Sequence, residues 1–425
     1  MTTVDPNSPT APRASPWRWW VCLLLMLATV INYMDRMALN QLAKRIKEAF
    51  GLDNTQYSQL ESVFSLAFAT GAFCVGIVVD RISVRWVYPI MVLGWSCAGL
   101  LTGFANSFAM LLVCRFFLGL FEAGNWPCGL RTTRAMLRPT ERSLGNSLFQ
   151  SGTALGAVIT PLVVLMILER VETHGELDAW RIPFRVIGSL GLIWIALWFL
   201  TVPRRMLGTT GTQGVSESPE GVLRFADVFR DKRFWALGVM TIAVNWSWHG
   251  YRTWLPLYLQ EQRGYTEVAM SKFTTVYYIV ADIGSWTVGL VTLGLCWQGV
   301  GVHLSRLCAF GGCAFFTSCT MAVPFLPGGW MLETGLLLVA FGALGLFPTY
   351  YALTQEISSR HQGKVTGTLG AVAHLSLALI YPVEGWICDR TRSYEWVLGG
   401  VGVLPLLAFG LLLWLWHRGA TNIEN

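Results

Sequence analysis

Apolar residues in this chain gather in long runs, separated by short polar stretches, with no sustained alternation. A membrane-crossing helix needs about 20 mostly apolar residues. Twelve runs approach that length, near 17–39, 56–79, 86–105, 110–129, 143–167, 184–202, 234–258, 270–293, 305–324, 330–353, 365–388 and 396–416. Unsatisfied backbone groups are too costly in lipid for anything but helices or closed barrels, and runs this long are helices. The expected fold class is an all-α membrane protein of twelve transmembrane helices. The longest polar stretch, 203–233, contains GTTGTQGVSESPEG, a Gly/Ser/Thr-rich flexible linker. It divides the chain into two six-helix halves, 17–202 and 234–416, with tails at 1–16 and 417–425. Many secondary transporters are built this way, with the substrate site between the halves near the midplane.

Composition agrees. Of 425 residues, 53% are hydrophobic and 13% charged, against about 25% charged in a soluble domain. That excludes disorder, argues against an ordinary soluble enzyme, and makes the lipid bilayer the first partner. The net charge of +6 is spread through short loops and forms no basic block, so no nucleic-acid partner is expected. The ten cysteines form no CxxC and sit in or beside apolar runs, as packing thiols. No metal site is expected. No HExxH, GxSxG or phosphate loop occurs, so the chain carries no catalytic residues and is not an enzyme. The first run lacks a small-residue cleavage site and is retained. With both termini placed in the cytoplasm, the inner loops and span edges hold more Lys and Arg than the outer ones. This favours an N-in, C-in protein of the cell inner membrane.

The informative charges are the few inside the runs, where each costs roughly 2.5–3.5 kcal/mol on insertion scales. Asn32, Asp35, Arg36 and Asn40 recur at helical spacing in the first run. Asp35 and Arg36 point roughly 100° apart, so each needs a partner on another helix. They form either a structural ion pair between helices or a proton site beside an anion ligand. Arg115 and Glu122, seven residues apart in the fourth run, share one face about 10 Å apart along the axis. Burial penalises charge, which makes Glu122 a candidate reversible proton carrier; Arg115 either positions its helix or tunes that carboxylate. The seventh run carries Asn245, Trp248, His249 and Arg252 on one face. Arg252 either grips a carboxylate with its planar fork or snorkels to the outer interface. His249 is a ligand or a hydrogen-bonded buried imidazole. Tyr351 and His374 are candidate cavity-lining groups of the second half, Asp282 is structural, and Glu384 is a further polar point. After the second run, Gly76, Asp80, Arg81 and Arg85 can latch neighbouring helix ends on the cytoplasmic side.

The G-x-x-x-D-R-x-x-x-R run at 76–85 resembles the loop signature of the major facilitator superfamily. Asn32-Tyr33-Met34-Asp35-Arg36, with Arg115, Gly119 and Glu122-Ala123-Gly124-Asn125-x-Pro127, resembles the anion:cation symporter family, whose members include hexuronate and galactonate transporters. Gln150-Ser151-Gly152, Trp254-Leu255-Pro256 and Ala281-Asp282-Ile283-Gly284-Ser285 are similar to its fifth, seventh and eighth helices. The resemblance implies a major facilitator fold and proton-coupled symport of a sugar acid, with protons as the coupling ion and no other cofactor; the alternatives are an exporter or exchanger of another organic anion and a transporter-like sensor. By position it implies Asp35 and Glu122 as the protonatable pair. Tyr33, Arg36 and Arg115, with Gln150 or Ser151, would line the cavity from the first half. The expected partner is a small organic anion, and a monomer is expected to suffice. Three features depart from the family pattern. Phe68 replaces a frequent tyrosine, Leu293 stands where the second loop copy usually has an aspartate, and the stripe Asn245, Trp248, His249 and Arg252 with His374 differs from hexuronate carriers.

Overall fold

The computed structural model describes residues 16–137, 142–172, 178–202, 229–357 and 362–419. Most of both tails and most of the 203–233 linker lie outside the described residues. Within them the chain is helical throughout. The first half comprises α1 (Pro16–Gln41), α2 (Asn54–Arg81), α3 (Val84–Thr102), α4 (Phe108–Glu122, resumed as Asn125–Met136), α5 (Arg142–Glu172) and α6 (Arg181–Thr201). The second comprises α7 (Lys232–Leu257), α8 (Glu267–Trp297), α9 (Val302–Ser318), α10 (Trp330–Ile357), α11 (Gln362–Thr391) and α12 (Glu395–Gly419). A short amphipathic helix, Ala43–Phe50, follows α1.

Eleven of these helices are long and apolar enough to cross a membrane. The expected seventh, α7, has the length but not the apolarity. Thr241, Asn245, Ser247, His249, Arg252 and Thr253 all fall within it. Its flanks are mostly buried against other helices, so it needs less lipid-compatible surface than its neighbours. Helices facing outward expose bulky apolar residues such as Leu200, Phe73 and Trp286, a surface suited to lipid and not to water.

Local signals set the helix limits. Asp53 accepts from the backbone of Gln56, whose side chain returns the bond to the Asp53 N–H, a reciprocal cap that starts α2. Ser107 and Thr266 cap α4 and α8 in the simpler one-way form. The turn at Ala123-Gly124 interrupts α4 just after Glu122. Past Pro256, α7 runs into a π-helical turn, Tyr258–Gln262.

Close helix contacts follow small residues. A Cβ at Gly119 would lie 2.3 Å from the carbonyl oxygen of Phe64, so α4 approaches α2 backbone to backbone. The halves meet chiefly where α2 packs on α11, α5 on α8 and α1 on α7.

The two faces of the protein differ. On the face away from the termini, here called distal, charged bridges join the halves. Arg45 of the short helix grips Glu267 of α8 at 2.8 and 2.5 Å, and Lys47 reaches Glu261 at 2.9 Å. Asp389 of α11 accepts from the backbone N–H groups of Asn54 and Thr55, capping α2 from across the interface at 3.0 and 2.8 Å. Tyr394 donates to Glu261, and burial beside that carboxylate pushes its phenol above the usual range. Nearer the terminal face, Leu66 and Phe73 of α2 and Thr368 and Leu375 of α11 line an apolar groove. Charged bridges between the halves thus gather at the distal face.

Candidate functional site

Charges from α1, α2 and α4 converge in the middle of the first half. Arg36 donates through Nε and Nη2 to one oxygen of Glu122, at 2.9 and 2.7 Å. Both groups are buried. The guanidinium also lies over the rings of Phe64, Phe68 and Tyr33, at 4.8, 5.0 and 5.4 Å from their centroids. An arginine so placed is held by charge and by ring faces together. The second Glu122 oxygen, Oε1, has no hydrogen-bond partner.

The helical spacing argument for Asp35 and Arg36 holds in direction. Arg36 turns to α4, whereas Asp35 turns to α3, where a Cβ on Gly99 would stand 2.6 Å from its Oδ1. Arg36 finds the partner that the spacing demands. Asp35 does not: both its oxygens are buried without a hydrogen-bond donor. Arg115, on the same helix as Glu122, is buried with all three guanidinium nitrogens unbonded, 5.9 Å from the Phe64 centroid. Its charged neighbours include Glu61 and Glu122, with Asp35 and the like-charged Arg252.

A second buried ion pair crosses between the halves. Arg252 Nη2 of α7 meets Glu61 Oε2 of α2 at 2.9 Å, with side chains 1% and 0% exposed. Asn40 of α1 donates to the Arg252 carbonyl at 3.0 Å. Arg252 therefore does not snorkel to the outer interface, because Glu61 offers it a buried carboxylate. Sequence reasoning passed over Glu61. Its signal was present, a lone carboxylate inside the run 56–79.

The second half presents rings. Phe68 stacks on His374 at 4.2 Å, and His374 lies 5.9 Å from His249. The phenylalanine that replaces the family's tyrosine is thus the platform on which an imidazole of the other half rests. Trp248 is buried edge-on to Tyr278. Asn245, on the same stripe, bonds back to the Thr241 carbonyl in its own helix. Tyr351 is half-exposed beside Tyr350 and Phe347. Glu384 accepts from Trp254 at 2.8 Å inside the second half.

Other expected residues lie apart from this centre. Gln150 is exposed, and the Ser151 hydroxyl bonds to Leu148 one turn back, so neither joins the Arg36 cluster by a hydrogen bond. Asp282 accepts from Trp286 of its own helix. Of the latch, Gly76 falls within α2, and the Asp80 side chain lies outside the described residues. Arg81 is exposed, and Arg85 lies 5.7 Å from the Phe199 centroid of α6. No cluster of metal-ligating side chains occurs among the described residues.

Two helical halves around a buried, charged centre, bridged across one face, are the architecture of a membrane transporter. The chain belongs to the Major Facilitator Superfamily, whose profile matches residues 25–367. A probable sulfoacetate transporter from Cupriavidus necator is 26% identical over 411 residues, covering 92% of this chain and 90% of its own. A hexuronate transporter from Bacillus subtilis is 27% identical over 400 residues, covering 91% and 93%. Among solved structures, a bacterial homologue of the human lysosomal transporter Spinster, inward-facing and unoccupied, superposes with a TM-score of 0.81. It is 17% identical over 96% of this chain and 98% of its own, and it supports the fold alone.

Proposed function

We propose that the protein is a proton-coupled symporter of a small organic anion, a sugar acid of the hexuronate, aldonate or aldarate type, working by alternating access. The observation that carries the reading is the buried Arg36–Glu122 pair beside Asp35, whose two oxygens have no donor. A substrate carboxylate competes with Glu122 for Arg36, and the displaced Glu122 is then better neutral than charged. Proton and substrate therefore bind together. Asp35, in the same electrostatic neighbourhood, is the second proton acceptor. Arg115 steadies the cluster, and His249, His374, Trp248 and Tyr351 shape the cavity from the other half. The protein works as a monomer in the inner membrane with both termini in the cytoplasm, which makes the distal face external. The relation to the hexuronate transporter supports the sugar-acid class.

A second reading, a short sulfonated carboxylate, is favoured by the relation to the sulfoacetate transporter and by Arg252 on the second half. Substrate-driven proton uptake in proteoliposomes tests the mechanism. Glu122→Gln is expected to abolish accumulation against a gradient while keeping exchange across it. A variant that accumulates substrate as the parent does would refute the coupling role. Uronates, aldonates and sulfoacetate compared in the same assay separate the two substrate classes.

A further inference from the structure

Glu61 stands between two arginines that belong to different halves. Arg252 of α7 holds its Oε2 at 2.9 Å across the interface, whereas Oε1 is buried without a partner. Arg115 of α4, in Glu61's own half, counts Glu61 among its charged neighbours and has all three guanidinium nitrogens free of hydrogen bonds. Glu61 lies two helical turns inside α2 from the capped end at Asn54, so its pair with Arg252 belongs to the distal seal. Opening that seal draws α7 away from α2. Breaking a buried pair by removing one partner is strongly unfavourable, because a charge is left buried and alone. The barrier to opening is lowered if Glu61 finds a second cation as the first departs.

We propose that Glu61 is a moving carboxylate that exchanges Arg252 for Arg115 as the halves part at the distal face. In the distally closed state it joins the halves through Arg252. In the distally open state it pairs with Arg115 inside the first half, and the Arg252 head turns to the opened, wetted interface. No proton or electron is transferred, since one ion pair replaces another. Glu61 is a positioning residue that keeps two alternating states close in energy. The inference rests on the alternating-access reading above.

Opposite shifts from the two arginines test it. The purified protein in lipid nanodiscs carries Ser58→Cys, a buried α2 position in the seal packed against Gly385 of α11. Maleimide labelling is read at that position by mass spectrometry, so the native cysteines stay in place. Arg252→Gln removes the partner of the closed state and should speed labelling about fivefold or more, whereas Arg115→Gln removes the partner of the open state and should slow it comparably. In a Glu61→Gln background the two arginine variants should label at one rate. Ser62→Cys, one turn deeper, serves if Ser58→Cys does not fold. Shifts in the same direction, or opposite shifts that persist with Glu61→Gln, overturn the exchange. Labelling that still responds to added organic anion in that case leaves alternating access standing. Labelling indifferent to anion and to every variant overturns both.

Discussion

The two halves meet at the same centre with different chemistry. The first brings Asp35, Arg36, Glu61, Arg115 and Glu122, all buried. The second brings His249, His374, Trp248 and Tyr278, and the one arginine it places at this centre, Arg252, finds its carboxylate in the first half. Charges interact most strongly where water is excluded. Keeping Arg36 and Glu122 on one rigid body means that rocking the halves leaves their contact intact. Of the buried ion pairs at this centre, Arg252–Glu61 is the one that must break. The first half therefore concentrates the buried charge, and the second presents rings to it.

The largest effect that this contrast predicts lies at Arg36. Arg36→Ala strands Glu122 in a buried site, a loss of about 3–5 kcal/mol for a broken buried pair. Uptake should fall about a hundredfold or more in kcat/KM, and thermal unfolding should drop measurably. Adding Glu122→Gln to Arg36→Ala should restore much of the thermal stability without restoring uptake, because the stranded charge is gone and the anion site is still missing. If the single and double variants melt together, Arg36 and Glu122 do not act as a pair in the lipid-embedded protein.

The matching cut in the second half should be milder. His374→Phe keeps a ring stacked on Phe68 and removes the imidazole polarity. We expect KM to rise about threefold to tenfold with kcat nearly kept, the pattern of lost uniform binding. His374→Ala, which also removes the stack, should cost more, by roughly 0.5–1.5 kcal/mol for the lost ring pair. A collapse of uptake in His374→Phe as deep as in Arg36→Ala would erase the distinction between a charged half and a shaping half.

How far the sequence foretold this depends on the kind of contact. Span positions followed from run length, and α1 and α2 run only a few residues beyond their apolar stretches because polar caps such as Asp53 sit outside them. Arg36 and Glu122 were legible as isolated intramembrane charges, but their mutual contact, 86 residues apart in sequence, was not. Helical periodicity fixes direction on one helix and says nothing about which helix stands opposite. Glu61 is harder to read, because one carboxylate hardly alters the apolar character of the run that holds it. The Phe68–His374 stack was hidden for a related reason: each residue looked like a departure from a family pattern when taken alone, and only their contact makes sense of both. The Asp389 cap on α2 depends on backbone N–H groups, which no residue type announces.

The smallest predicted effect belongs to the rim of the seal, and it separates surface bridges from the buried pair beneath them. Arg45 and Glu267 are part-exposed, with side chains 29% and 21% open to solvent. Water competes for both, so the bridge should contribute only about 0.2–1 kcal/mol. Arg45→Ala should therefore speed distal labelling no more than about fivefold. Adding Glu267→Ala should change nothing further, because the partner has already lost its contact. Raising salt from 0.1 M toward 1 M shortens the Debye length from about 10 Å to about 3 Å. The parent should then approach the Arg45→Ala rate, whereas the effect of Arg252→Gln, whose pair is shielded from solvent, should persist. If salt removes the Arg252 effect as readily as the Arg45 effect, water reaches Glu61 in the closed state, and the distal seal is only as deep as its surface bridges.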